Sequence, residues 1–172
     1  FNNFASLDSK DLFSLKNKVL WVVGHNGMVG QAITRKLSNY NTITVSRKKL
    51  DLLSQHSVDK WLSNKKPDVV FLTAGKVGGI YANSNYPADF IHQNLMIAAN
   101  VINSSYKHKI KKLIYLGSSC IYPKNCNQPI DEDQLLSGKP EPTNEWYAIA
   151  KIAGIKLCQA YRKQFGCDFI FS

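Results

Sequence analysis

The chain has 172 residues, 44% of them hydrophobic and 20% charged, and carries a net charge of +10. That length is enough for one well-packed domain, and the composition is that of an ordinary soluble globular chain. No apolar run reaches the length of a membrane-spanning helix, and residues 1–17 (FNNFASLDSKDLFSLKN) mix polar, acidic and aromatic side chains unlike a secretory signal.

The positive charge raises nucleic acid as a partner. The basic residues are scattered, however, and the densest cluster, Tyr106-Lys107-His108-Lys109-Ile110-Lys111-Lys112, reads as a solvated turn before a strand. A surface attractive to anionic metabolites comes next, and nucleic acid last. The four cysteines, Cys120, Cys126, Cys158 and Cys167, form no CxxC pair and no zinc-spaced Cys/His cluster. Unframed thiols point to a reducing, cytosolic setting. Three of them read as inert, and Cys120 is the exception developed below. The chain begins at Phe1 rather than at a methionine, as expected of a piece of a longer protein.

Elements alternate along the chain. Residues 18–23 (KVLWVV) are a short apolar run ending in glycine, which reads as a buried strand. Residues 28–38 show apolar side chains at helical spacing, and 42–46 (TITVS) form a second strand. Residues 55–64 read as a helix with Val58, Trp61 and Leu62 on one face. After Pro67, residues 68–73 (DVVFLT) are a third strand, and 87–106 a long helix. Residues 112–117 (KLIYLG) form a fourth strand, 145–165 another long helix, and 168–171 (DFIF) begin a fifth strand. Strands alternating with helices predict an α/β fold, a Rossmann-type doubly wound parallel sheet covered on both faces. The expected division is an N-terminal extension over 1–17 and a nucleotide-binding domain over 18–172. Residues 123–143, rich in Pro, Asn, Asp and Glu, make one long loop, and such loops are often functional.

Gly24-His25-Asn26-Gly27-Met28-Val29-Gly30 follows the first strand and opens the first helix. Glycines at GxxGxxG spacing permit a tight turn, and they let the backbone approach a pyrophosphate at a helix N-terminus. An NAD site commonly ends its second strand with an acid that bonds the ribose hydroxyl. Here that strand ends Ser46-Arg47-Lys48-Lys49, with no acid until Asp51. Cations suit a 2′-phosphate, so the cofactor expected is NADP(H), with Arg47 the foremost candidate and Lys48 and Lys49 as readily solvated surface. Asp51-Leu52 stands where an acid–apolar pair meets the adenine.

Tyr147 and Lys151 lie four residues apart on one helix face, and Ser118 follows Leu116-Gly117 at the end of the fourth strand. Ligands of open α/β sheets bind outside the carboxyl ends of the strands, so this serine faces the crevice of the glycine loop. An ammonium beside a phenol stabilises the phenolate and lowers a pKa of about 10, making tyrosine a usable acid near neutrality. A serine hydroxyl holds the substrate carbonyl. Serine, tyrosine and lysine in this order resemble the extended short-chain dehydrogenase/reductases.

Four segments carry a narrower resemblance, spanning residues 18–172. GHNGMVGQAITRKL, the run Ala74-Gly75-Lys76-Val77-Gly78-Gly79-Ile80 continuing through NYPADFI, GSSCIYPK at 117–124, and PTNEWYAIAKIAGIKLC at 142–158 are similar to the GDP-L-fucose synthases. The resemblance implies a two-part reaction on GDP-4-keto-6-deoxy-D-mannose: epimerisation at carbons 3 and 5, then reduction at carbon 4 by NADPH. It implies Cys120 as a base of the epimerisation, a role that suits a thiol because its reference pKa is about 8.5. Ser118, Tyr147 and Lys151 would serve the reduction, with Lys151 also holding the nicotinamide ribose. Ala74, Gly75, Lys76, Leu116 and Gly117 would join the cofactor site. A homodimer through the helices at 87–106 and 145–165 is implied as well, with no membrane or nucleic-acid partner.

Two positions depart from the family pattern. Its glycine-loop arginine is Asn26 here, which leaves the phosphate resting more on Arg47, and its proline before the tyrosine is Trp146, a large aromatic near the crevice. The family's catalytic histidine and most of its sugar-binding residues lie past the fifth strand, so the chain is expected to lack the last strand and the substrate domain and not to turn over alone. Two other readings stay open: a non-catalytic cofactor-binding module, and a related enzyme acting on another nucleotide sugar.

Overall fold

A computed structural model describes residues 13–172. Strands β1 (Val19–Val23), β2 (Asn41–Ile43), β3 (Val69–Leu72), β4 (Lys112–Tyr115) and β5 (Phe169–Phe171) form one sheet in the order β2-β1-β3-β4-β5, and every pairing is parallel. Leu20, Trp21, Val22 and Val23 are all buried, because a central parallel strand has helices over both faces.

Side chains alternate across the sheet. Trp21, Val23, Val70, Leu72, Leu113, Tyr115 and Phe169 enter the larger core, beneath α2 (Gln55–Lys65), α4 (Pro87–Lys107) and α5 (Glu145–Phe165). Leu20, Val22 and Val69 point the other way, packing with Leu37 and with Ile33 of α1 (Met28–Lys36). The expected doubly wound sheet is therefore present. The strand order reverses between β1 and β3, which opens a crevice at their carboxyl ends.

Local chemistry sets the helix ends. Ser54 caps α2 by accepting from the Ser57 amide at 3.2 Å, and Pro87 occupies the first turn of α4, where its missing N–H costs nothing. Gly166, at φ 68°, ends α5 in the left-handed conformation that glycine tolerates.

Three details depart from the sequence reading. β2 pairs with β1 over only three positions and stops at Ile43, after which Ser46–Lys49 turns away, the Lys49 amide bonding the Ser46 carbonyl at 2.9 Å. A short helix, α3 (Ile80–Asn85), precedes α4; six residues carry too little periodicity to reveal it. Buried Asn83 ties it down by donating to the carbonyls of Gly78 at 2.9 Å and Gly79 at 3.2 Å. The basic cluster is also no bare solvated turn: Ile110 is buried, Lys111 reaches Asp68 at 2.6 Å, Lys112 reaches Asp168 at 2.6 Å, and Lys107 reaches Asp59 at 3.8 Å.

Of the expected N-terminal extension, residues 1–12 lie outside the described residues. Within 13–17, Leu15 packs against the core beside α1, and the Phe13 ring lies under the ammonium groups of Lys18 (5.2 Å) and Lys112 (4.9 Å).

Candidate active site

The turn between β1 and α1 is shaped by what its glycines lack. Gly24 has φ +92°, and a Cβ there would stand 2.7 Å from the Ala74 backbone. A Cβ on Gly30 would stand 2.1 Å from the Gly24 carbonyl oxygen. Any side chain at either position would push β1 away from β3 or α1 away from its own loop. Gly27 caps α1 without a side-chain hydrogen bond, so the first-turn N–H groups of the helix remain available to an anion.

This turn forms one wall of a cavity of about 650 Å³, a volume suited to a cofactor. The structure brings to it Gly24, Asn26, Gly27, Met28, Val29 and Gly30 from the glycine turn, and Arg47, Asp51 and Leu52 from the segment after β2. Ala74, Gly75 and Lys76 come from the end of β3, Leu116, Gly117 and Ser118 from the end of β4, and Tyr147 and Lys151 from α5. Lys48 and Lys49 stand outside it, exposed in their turn. Trp146, 41% exposed in the first turn of α5, also does not line it.

Sequence reasoning missed the apolar wall of Val45, Leu50, Leu53 and Ile97, and it missed two residues of α4 that shape the loops. Asn94 is buried; it accepts from the Lys76 amide at 2.9 Å and donates to the carbonyls of Lys76 at 3.0 Å and Phe90 at 2.8 Å. Asn100, also buried, donates to the Leu52 carbonyl at 2.8 Å. One rigid helix thus holds the loops after β2 and β3. A polar residue on the buried face of an otherwise apolar helix was the available signal.

At the carboxyl end of β4, Ser118 is extended and caps a single 3-10 turn over Ser119–Ile121. That turn swings Cys120 back, so its Sγ stands 3.2 Å from the Ser118 Oγ. Cys120 lies behind the serine rather than on the cavity wall. Lys151 is only 4% exposed, and its Nζ donates to the Leu116 carbonyl at 2.8 Å. Burial drives this ammonium down to about 8, against the upward pull of Cys120. Tyr147 differs from the expectation: its phenol is raised, by burial first and by Cys120 second, with only the Ser118 hydroxyl acting downward. Lys151 exerts no lowering effect because it points to the Leu116 carbonyl, with its Nζ 5.8 Å from the Tyr147 ring centre.

Two of the other thiols feel burial. Burial pushes Cys158 up to about 12 and raises Cys167 as well. Among the described residues no group of three or more His, Cys, Asp or Glu side chains could hold a metal ion, and no helix is long and apolar enough to cross a membrane.

Residues 20–172 match the NAD dependent epimerase/dehydratase family. The chain is 58% identical over 161 residues to a GDP-L-fucose synthase of Sinorhizobium fredii, covering 92% of this chain and 51% of that protein. It is 53% identical over 172 residues to the putative GDP-L-fucose synthase 2 of Arabidopsis thaliana, covering 98% of this chain and 52% of that one. Among solved structures it resembles a GDP-mannoheptose C4 reductase from Campylobacter jejuni with NADP bound, at a TM-score of 0.86 and 39% identity, over 90% of this chain and 50% of that one. The chain spans about half the length of the curated relatives it matches. With a glycine turn at the β1/β3 switch point, a serine at the end of β4 and a Tyr–Lys pair on the following helix, all matched across residues 20–172, the chain belongs to the NAD dependent epimerase/dehydratase family.

Proposed function

We propose that the protein to which this chain belongs converts GDP-4-keto-6-deoxy-D-mannose to GDP-L-fucose, with NADP(H) held in the cavity described above. The observation that carries this reading is the placement of Cys120, 3.2 Å from Ser118 and beside the cavity that Tyr147 and Lys151 line. A reductase needs the serine, tyrosine and lysine; a second proton-transfer group next to them fits epimerisation beside a ketone.

The chain's own groups fit the cofactor. The uncapped N-terminus of α1 and the side-chain-free surfaces of Gly24 and Gly30 suit a pyrophosphate, and Arg47 suits a 2′-phosphate. Lys151 would hold the nicotinamide ribose. The bound cofactor supplies the hydride that reduces carbon 4. Cys120 takes a proton from a carbon beside the ketone, where the resulting charge is delocalised, and an acid on the opposite face of the sugar returns a proton to that carbon to complete the inversion. In the later reduction Ser118 orients the carbonyl oxygen, and Tyr147 gives its phenolic proton to that oxygen as the ketone becomes an alcohol. Burial keeps the Tyr147 phenol protonated, so the proton for this step is in place.

The test is to incubate the complete protein with NADPH and GDP-4-keto-6-deoxy-D-mannose, following absorbance and the stereochemistry of the product. The expected result is NADPH oxidation and GDP-L-fucose; an unchanged absorbance refutes the reading. A second reading, reduction of a related GDP sugar without epimerisation, is favoured by the likeness to a GDP-mannoheptose C4 reductase. Replacing Cys120 by serine separates the two: the epimerase-reductase loses product, whereas the reductase keeps it.

Two further parts of the reading concern assembly and location. α4 and α5 pack together and present Tyr106 stacked on Phe165 at 4.3 Å, both partly exposed, a face suited to pairing with a second copy. Light scattering of the complete protein should give twice the monomer mass. The four free thiols suit the cytoplasm.

A further inference from the structure

We propose that Tyr115 is a positioning residue for Lys151: its buried ring is a cation–π seat that fixes the ammonium against the Leu116 carbonyl. This inference rests on the reading of Lys151 as a cofactor-holding residue, and it adds a residue with no place in the serine–tyrosine–lysine set.

Lys151 is a buried charge without a counter-ion: it is 4% exposed, and among the described residues no carboxylate lies within ion-pair distance of it. An ammonium taken from water without a counter-ion is costly unless other groups compensate. One N–H is met by the Leu116 carbonyl at 2.8 Å. The remaining stabilisation comes from aromatic faces, and the Tyr115 ring centre is nearer, at 4.7 Å, than that of Tyr147, at 5.8 Å. Both fall within the roughly 6 Å over which a cation is drawn to a ring. Tyr147 lines the cavity and is only half-buried. Tyr115 is only 2% exposed and locked in the core.

The lock has a visible cause. Gly154 stands one helical turn after Lys151, on the same face of α5. A Cβ at Gly154 would lie 2.5 Å from the Cζ and hydroxyl of Tyr115 and 2.7 Å from Cε1. The ring reaches Lys151 because position 154 has no side chain. β4 therefore presents two adjacent features to one ammonium, the face of Tyr115 and the carbonyl of Leu116. The titratable groups around this seat are Tyr115 itself from β4, Cys120 from the turn after it, and Tyr147 and Cys158 from α5. Of these, Cys120 is the one that pulls the ammonium upward.

The test replaces Tyr115 in the complete protein with phenylalanine and with a series of phenylalanines carrying one to three ring fluorines. Fluorination keeps the shape of the ring and drains charge from its face. With labelled lysine, the Lys151 resonance (identified by its loss in Lys151→Met) is followed against pH without cofactor, and NADPH affinity is measured separately by fluorescence. Tyr115→Phe should leave the midpoint nearly unchanged. Each fluorine should lower it, by about one pH unit in all, and NADPH binding at pH 8 should weaken in step. Gly154→Ala, which displaces the ring, should shift the midpoint with the native tyrosine in place. A midpoint that stays flat across the fluorinated series overturns the proposal, as does an equal shift in Tyr115→Phe. The midpoint is read without substrate, so a graded midpoint in a protein that leaves NADPH unoxidised in the presence of the GDP sugar refutes the synthase reading and not the seat.

Discussion

The two walls of the cavity are built on opposite principles. The wall from β1 and α1 works by what it omits: Gly24 and Gly30 bring backbone against backbone, with 2.7 Å and 2.1 Å where a Cβ would go. The wall from β4 and α5 works by the groups it holds: half-buried Ser118 and Tyr147, buried Lys151 and, behind them, Tyr115 and Cys120, the thiol 3.2 Å from the Ser118 hydroxyl. On the first wall any added atom is a steric fault, felt by fold and binding together. On the second, an isosteric change alters a proton or a charge and leaves the packing intact. One wall is defined by shape and the other by chemistry.

The sharpest way to break this contrast is Gly30→Ala. Its methyl would meet the Gly24 carbonyl, so the change should destabilise the protein by about 3 kcal/mol or more and abolish NADPH binding, as read by thermal melting and fluorescence titration. A variant that melts normally and binds NADPH would show that the glycine wall is not defined by shape. The counterpart on the chemical wall is Tyr147→Phe. Removal of one proton donor should cost about 10²–10⁴ in turnover with NADPH affinity and melting unchanged, because the ring stays in place. A parallel loss of affinity would erase the distinction.

A smaller effect follows from Lys151, whose ammonium stands at about 8 in the fold against an ordinary 10.5. The folded value is the lower one, so between about pH 8 and 10.5 the unfolded chain binds more protons and stability rises with pH. Lys151→Met should therefore be more stable than the parent at pH 7, by up to about 3 kcal/mol, and the gap should close as pH climbs through that window. NADPH binding should weaken about tenfold per pH unit above 8 in the parent, since the ammonium is lost there. The smallest pair concerns the phosphate. Arg47→Ala should reduce NADPH affinity by about 10- to 100-fold while sparing NADH, and Lys48→Ala, outside the cavity, should change either by less than about twofold.

Much of this was legible in the residues. The alternation of apolar runs and helical spacings sufficed for the parallel sheet, because central strands must be apolar on both faces. The glycine spacing and the Tyr–Lys interval are local, so they survive the step from sequence to structure, and all the cofactor positions read from them line one cavity. α3 was hidden because six residues hold less than two turns of pattern. Asn94 and Asn100 were hidden because their partners, Lys76 and Leu52, are 18 and 48 residues away along the chain. The Tyr147 phenol moved opposite to expectation because proximity of Tyr and Lys on one helix face does not decide where the lysine points.

The sequence by itself therefore determined the alternation of the main strands and helices, the position of the glycine turn, and the Tyr147–Lys151 interval, since each depends on periodicity or short spacing. Only the tertiary structure decided which groups act on one another. That Lys151 bonds the Leu116 carbonyl and lies over Tyr115, that Gly154 makes room for that ring, and that Cys120 sits behind Ser118 all depend on distances across the fold. Burial, which shifts an enclosed charge more than its neighbours do, does not exist until the chain has closed around it.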